Sequence, residues 1–247
     1  MKIAKIIEEL EKLAPPELAE EWDRIGLMTG SAQAECTGVV VSLDMCAEAL
    51  DSAIESGAKL IVTHHPFIWN SLSRIDLDEP KGALIARLIK EGISVYSMHT
   101  NLDKSPRGIN TELARLFGGE NVELYGLGAR FDTGGLTLEE LAKRVRSALG
   151  DDTVLAVGDP KRTVRKAYVV SGAGGSDLDL AKECADVFIT GELKHHQYLE
   201  AREAGLCLIQ FSHYFSEVIM QNIVSDALSR LPIKVIKAAE GCPFWRV

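Results

Sequence analysis

No stretch of the 247 residues reaches about 18 consecutive apolar positions, so the sequence offers no membrane-spanning helix. Cysteine is scarce. There are five, an odd number, and no two share C-x-x-C spacing. That argues against a zinc ribbon or a disulfide framework, and it leaves reduced thiols and a cytoplasmic setting as the expectation. Positive charge is in deficit: 27 Lys and Arg face 36 Asp and Glu, a net charge of −9. Such a chain lacks the electrostatic footprint of a nucleic-acid binder. Its one basic run, "KRTVRK" (161–166), reads as a solvated face. Glycine-rich "SGAGGSD" (171–177) lacks the lysine of a phosphate-binding P-loop and reads first as a flexible turn, with a phosphate-facing loop as the alternative. The first 23 residues carry charge throughout, which suits an amphipathic helix over 3–13 and not a signal peptide.

What is present is alternation. β-branched runs at 37–44, 58–63 and 93–98 are separated by helical patterns at 46–57 and 81–92, each stopped by glycine. Past a glycine-rich stretch, 126–135, the pattern restarts. A helix over 137–150 opens on Thr137 with Glu140 three residues later, a capping box. Strands are expected at 166–172, 186–191, 206–211 and 233–238, with helices at 178–185, 196–205 and 216–231. Apolar strands between amphipathic helices indicate an α/β fold with sheets covered by helices. The two halves resemble each other: strand, polar turn, helix, strand, then a short polar stretch. We read an internal duplication, with one α/β repeat over 1–125 and a second over 126–247. The last strand has the option of returning to the first lobe.

All six histidines sit at or just past expected strand ends: His64 and His65, His99, His195 and His196, and His213. In open α/β sheets that edge is where ligand sites gather. Asp103 follows His99 by four and Glu217 follows His213 by four, a spacing that places both side chains on one helical face. Imidazole with carboxylate suits zinc, iron, manganese or cobalt. Five or more such donors exceed the need of one tetrahedral ion and are enough for two ions with a bridging carboxylate. Pro66 ends the strand behind the histidine pair. Trp22, Trp69 and Trp245 read first as packing residues, although Trp69, four residues past His65, is placed to wall a site.

In order along the chain, "EWDRIGLMTG", "THHPFIW", "HTNLD", "TGELKHH" and "SHYFSE" resemble the NIF-three-like family, whose members are named as type 2 homologues of GTP cyclohydrolase 1. The resemblance covers nearly the whole chain, in the short form without an inserted domain. It implies two intertwined α/β repeats, a toroidal homohexamer and a dinuclear site with two divalent ions per subunit. Carried over by motif, the metal ligands are His64, His65, Asp103, His213 and Glu217. His99 lies beside the metals, and Glu192, His195 and His196 lie on the rim. Two positions depart from the family pattern: Arg24 stands where Asn is common, and Ser212 where Gly is usual. Neither is an implied ligand.

The function implied is a metal-dependent hydrolase acting on a nucleotide or related small molecule, with His99 or His196 moving the proton and Glu192, His195 and Trp69 near the substrate. Two rivals belong to other classes. One is a metal-binding or metal-delivery scaffold without turnover, part of a protein-interaction ring. The other is a ring around nucleic acid, against which the −9 charge counts.

Overall fold

The computed structural model describes residues 1–245. The chain forms two compact units, one from residues 1–102 and 220–247, the other from 103–219.

The first unit opens with helix α1 (Ile3–Leu13), which buries Ile3, Ile6, Leu10 and Leu13 at the three-four spacing of one face. Then follow β1 (Gly26–Thr29), β2 (Gly38–Ser42), α2 (Ala47–Ser56), β3 (Leu60–Thr63), α3 (Pro80–Glu91) and β4 (Ser94–Ser97). Helices α2 and α3 end on Gly57 and Gly92, both in the left-handed region. A single turn, α4 (Thr100–Asp103), carries the chain into the second unit. There it forms α5 (Ile109–Leu116), β5 (Glu120–Tyr125), β6 (Gly128–Asp132), α6 (Leu138–Leu149), β7 (Leu155–Val157), β8 (Lys166–Val170), α7 (Leu178–Cys184), β9 (Val187–Thr190), α8 (His195–Glu203), β10 (Cys207–Gln210) and α9 (His213–Glu217). The chain returns to the first unit with α10 (Met220–Leu228) and β11 (Lys234–Lys237).

Both sheets are mixed. The first has the order β1-β4-β3-β2-β11, with only β1 antiparallel to its neighbour. The second has the order β5-β6-β8-β9-β10-β7, with a parallel core of β8, β9 and β10. Strands β2, β3 and β4 are buried at every position, which explains the apolar runs of β2 and β3 and the buried serines that flank Val95 and Tyr96 in β4. Register matters more for function than strand count. Ser42 lies opposite Thr63, and Thr63 opposite Ser97, so three parallel strands end level. Val170, Thr190 and Gln210 end level in the second sheet.

Most expected elements stand within a residue or two of their places, and Thr137 and Glu140 form the reciprocal capping box of α6. The helix expected over 216–231 is instead two. Glu217 closes α9 in the second unit and Met220 opens α10 in the first, because the chain changes unit between Ile219 and Met220. The boundary at 125/126 falls inside the second unit. Strand β5 pairs with β6, and β6 with β8, which keeps 103–125 with the chain beyond it. The last strand returns to the first unit, parallel to β2. At the tail "CPFWRV", Phe244 and Trp245 are exposed, the latter 82%, and Arg246 and Val247 lie outside the described residues. All five cysteines are free thiols. No helix among the described residues is long and apolar enough to cross a membrane.

Candidate metal centre

In the first unit the level strand ends put three loops at one sheet edge: Leu43–Asp44, His64–His65 and Met98–His99. The backbone N–H groups of His64 and His65 both donate to the Leu43 carbonyl at 3.1 Å, which fixes the histidine pair against the neighbouring loop. His64 is fully buried. Its Nδ1 lies 2.8 Å from the Met98 carbonyl oxygen. A carbonyl only accepts, so the ring proton sits on Nδ1 and the lone pair on Nε2. His65 Nδ1 meets Asp44 Oδ1 at 2.9 Å with the same consequence. One ligating atom from each of His64, His65 and His99 lies within 4.8 Å of the others.

His99 is held in its turn. Its Nδ1 is 2.8 Å from Asp23 Oδ1, and the second Asp23 oxygen accepts from the Thr100 N–H at 2.9 Å and from the Thr100 hydroxyl. The Asp23 side chain has no solvent exposure. Burial opposes its charge, but the hydrogen bonds from His99 and Thr100 outweigh burial and hold the carboxyl at about 2. Beside this group two tryptophans stand half-open to solvent. Trp22 and Trp69 have ring centroids 5.9 Å apart, and each packs T-shaped against the His99 ring, with centroids 6.4 and 5.9 Å away.

The second unit carries a matching group at its own level strand ends. His213 and Glu217 occupy one face of α9, with His213 Nε2 2.9 Å from Glu217 Oε2. His213 Nδ1 lies 3.1 Å from Glu192 Oε1, just past β9. With Nδ1 donating to Glu192, Nε2 and the carboxylate oxygen both present lone pairs to each other. The pair is a hydrogen bond when a proton lies between the two atoms, and a two-donor seat for a cation when none does. Asp103 is buried and accepts from the Ser171 hydroxyl at 3.0 Å. Gly172 is what lets the backbone pass this close. Its φ is +59°, and a Cβ there would lie 2.1 Å from Glu217 Oε1 and 3.0 Å from His213 Nε2.

These donors fit a divalent ion. Three imidazoles are pinned at Nδ1 by acceptors that leave Nε2 basic, the orientation seen when a second layer of residues prepares histidines for metal. His195 and His196 stand on the exposed first turn of α8, and among the described residues neither hydrogen-bonds His213, Glu192 or Glu217. Arg24 is exposed, and its guanidinium donates to the Asp23 carbonyl. Ser212 gives its N–H to buried Asp151 at 2.6 Å. Sequence reasoning names none of Asp23, Asp44, Ser171 or Gly172 as part of the site. Asp23 lies within the quoted "EWD", and Asp44 ends the first β-branched run; those are the signals available.

Fold and donors together define a mixed α/β protein with imidazole–carboxylate clusters at the carboxyl edges of its sheets. The profile of the Duf34/NIF3 (NGG1p interacting factor 3) family matches residues 1–240, and the chain belongs to that family. It is 33% identical to a GTP cyclohydrolase 1 type 2 homolog of Clostridium perfringens, over 88% of this chain and 87% of that one. It is 32% identical to the Campylobacter jejuni protein of the same name, over 99% of both. A crystal structure of a Staphylococcus aureus hypothetical protein superposes with a TM-score of 0.92 at 28% identity, covering 100% of this chain and 99% of that one.

Proposed function

We propose that the two clusters serve one dinuclear centre, in which His64, His65, Asp103, His213 and Glu217 hold two divalent ions drawn from zinc, iron, manganese and cobalt. The observation that carries this reading is the pinning of His64, His65 and His213 at Nδ1, which leaves three Nε2 lone pairs prepared for metal. The family membership supports it.

On this reading the chain is a metal-dependent hydrolase, and the names of its relatives suggest a nucleotide or related heterocycle as substrate. Bound divalent ions supply Lewis acidity and make water acidic enough to attack near neutral pH. The rest falls to the protein. His99, oriented by buried Asp23, takes and returns the proton, as a base steadied by a carboxylate does. His196 is the second candidate for that role. Trp22 and Trp69 present flat apolar faces on which a planar ring stacks, and Glu192 and His195 contribute polar contacts at the rim. The free thiols support a reducing, cytoplasmic setting, and the family resemblance supports a homohexamer.

The test is metal content per chain in tag-free protein purified without chelators, beside Asp103→Ala. About two ions in the parent, reduced in the variant, is the expected result. No metal after reloading overturns the reading. Full loading with no turnover across a panel of nucleotides and phosphoesters favours the scaffold without turnover, the reading that the family's description as an interacting factor keeps open.

A further inference from the structure

Glu240 lies far along the chain from the histidines, three residues past β11, and its carboxylate is heavily used. One oxygen accepts from the Leu43 N–H and, at 2.7 Å, from the Gln221 side-chain amide. The other accepts from the Asp44 N–H at 3.1 Å and from the Ser42 hydroxyl at 2.8 Å. Four donors therefore converge on one carboxylate. Two of them are the backbone N–H groups of the loop after β2, just beyond the end of the sheet ladder.

That loop is the support of the histidine pair. Its Leu43 carbonyl takes both the His64 and the His65 N–H, and its Asp44 carboxylate holds His65 Nδ1. Gln221 keeps Glu240 in place from the other side by also donating to the Ala238 carbonyl at 3.3 Å. The Ala238 N–H in turn donates to the Val41 carbonyl at 2.8 Å, so the tail is tied to β2 just before it reaches the loop.

We propose that Glu240 is a positioning residue for the metal centre: it fixes the Leu43–Asp44 loop, and through Asp44 it sets the orientation of His65. This inference rests on the metal-binding reading above. The chemistry is that of a carboxylate standing behind Asp44, which in turn stands behind His65. Removing it takes the acceptor from two backbone N–H groups and frees Asp44 to turn away from His65. Residues behind the ligands typically change metal affinity by about 10–100-fold when replaced.

The experiment is titration of chelator-treated, full-length protein with cobalt(II), following the visible absorption that reports coordination. It is run on the parent, Glu240→Gln, Asp44→Asn and the double variant, with urea unfolding of each metal-free protein alongside. Glu240→Gln is expected to weaken cobalt affinity by about tenfold and to alter the absorption bands. The double variant is expected to be no weaker than the worse single variant, because both act through His65. Ser42→Ala removes the hydroxyl that is shared between Glu240 and the Asp44 carbonyl, keeps the carboxylate, and gives a smaller loss in the same direction if Glu240→Gln does not fold. Parent-like affinity and bands in a folded Glu240→Gln overturn the inference, as do losses that multiply in the double variant. A parent that takes up no cobalt defeats the metal reading itself, and this inference with it.

Discussion

Replacing Asp23 with asparagine removes a buried negative charge while keeping the shape of the side chain. In the fold the Asp23 carboxyl stands at about 2, against an ordinary value of 3.8. At about 1.4 kcal/mol for each tenfold change in acidity, the folded state favours the ionised form by roughly 2 kcal/mol. The folded value lies below the unfolded one, so this contribution is complete above about pH 4 to 5 and is lost as the pH falls towards 2. From these two values the remaining contribution is roughly half by about pH 3. The asparagine amide offers one acceptor oxygen in place of two, and its NH2 group faces a donor wherever it points, either His99 Nδ1 or Thr100. We therefore expect metal-free Asp23→Asn to be less stable than the parent by about 2 kcal/mol at pH 7, with the gap closing in acid. The assay is urea unfolding of chelator-treated proteins from pH 7 down to pH 3, followed by tryptophan fluorescence. Trp22 and Trp69 stand beside His99 and report on this unit. No gap at pH 7, or a gap of constant size down to pH 3, would refute the account of Asp23 as a buried anion held by His99 and Thr100.

Other variants separate the site from the scaffold. Gly172→Ala forces a Cβ to 2.1 Å from Glu217 Oε1 at a positive φ, and should cost roughly 2 kcal/mol as well as metal loading, read by urea unfolding and metal analysis. Ser171→Ala removes the hydroxyl that Asp103 accepts from, and should weaken metal binding about tenfold in titration with little change in the fold. Thr137→Ala breaks the capping box of α6 and should cost about 1 kcal/mol in unfolding while leaving metal content at the parental level. Trp22→Ala with Trp69→Ala should leave metal content intact and weaken the binding of a planar nucleobase, measured by calorimetry.

The parallel cores of both sheets are legible in the sequence because their strands are buried on both faces and appear as mainly apolar runs without polar alternation. The histidine positions are legible for the same reason: the end of an apolar run marks the sheet edge where the rings emerge. Other elements leave weaker marks. Strand β5 is mostly exposed, so no alternation betrays it, and β6 opens on a glycine inside a stretch that reads as a boundary. The proposed ligand residues carry local spacing, such as the four residues from His213 to Glu217. Their supports do not. Asp23 is 76 residues from the His99 it holds, and Glu240 is 196 from the Asp44 N–H it accepts. Contacts across such distances come from sheet register, which no short window of sequence contains. Gly172 is one glycine in a run of glycines until Glu217 is placed against it.

The first unit is discontinuous: its sheet is completed by β11, which pairs with β2 only after the whole second unit has been made. During synthesis, residues 103–219 are available in full while the first unit still waits for its edge strand. The order of manufacture is therefore fixed by topology. The Asp103, His213 and Glu217 donors have their complete unit early, whereas the loop behind His64 and His65 receives its Glu240 brace among the last contacts formed. A cell that loads metal into this protein meets a half-prepared histidine pair until that final stretch of chain arrives.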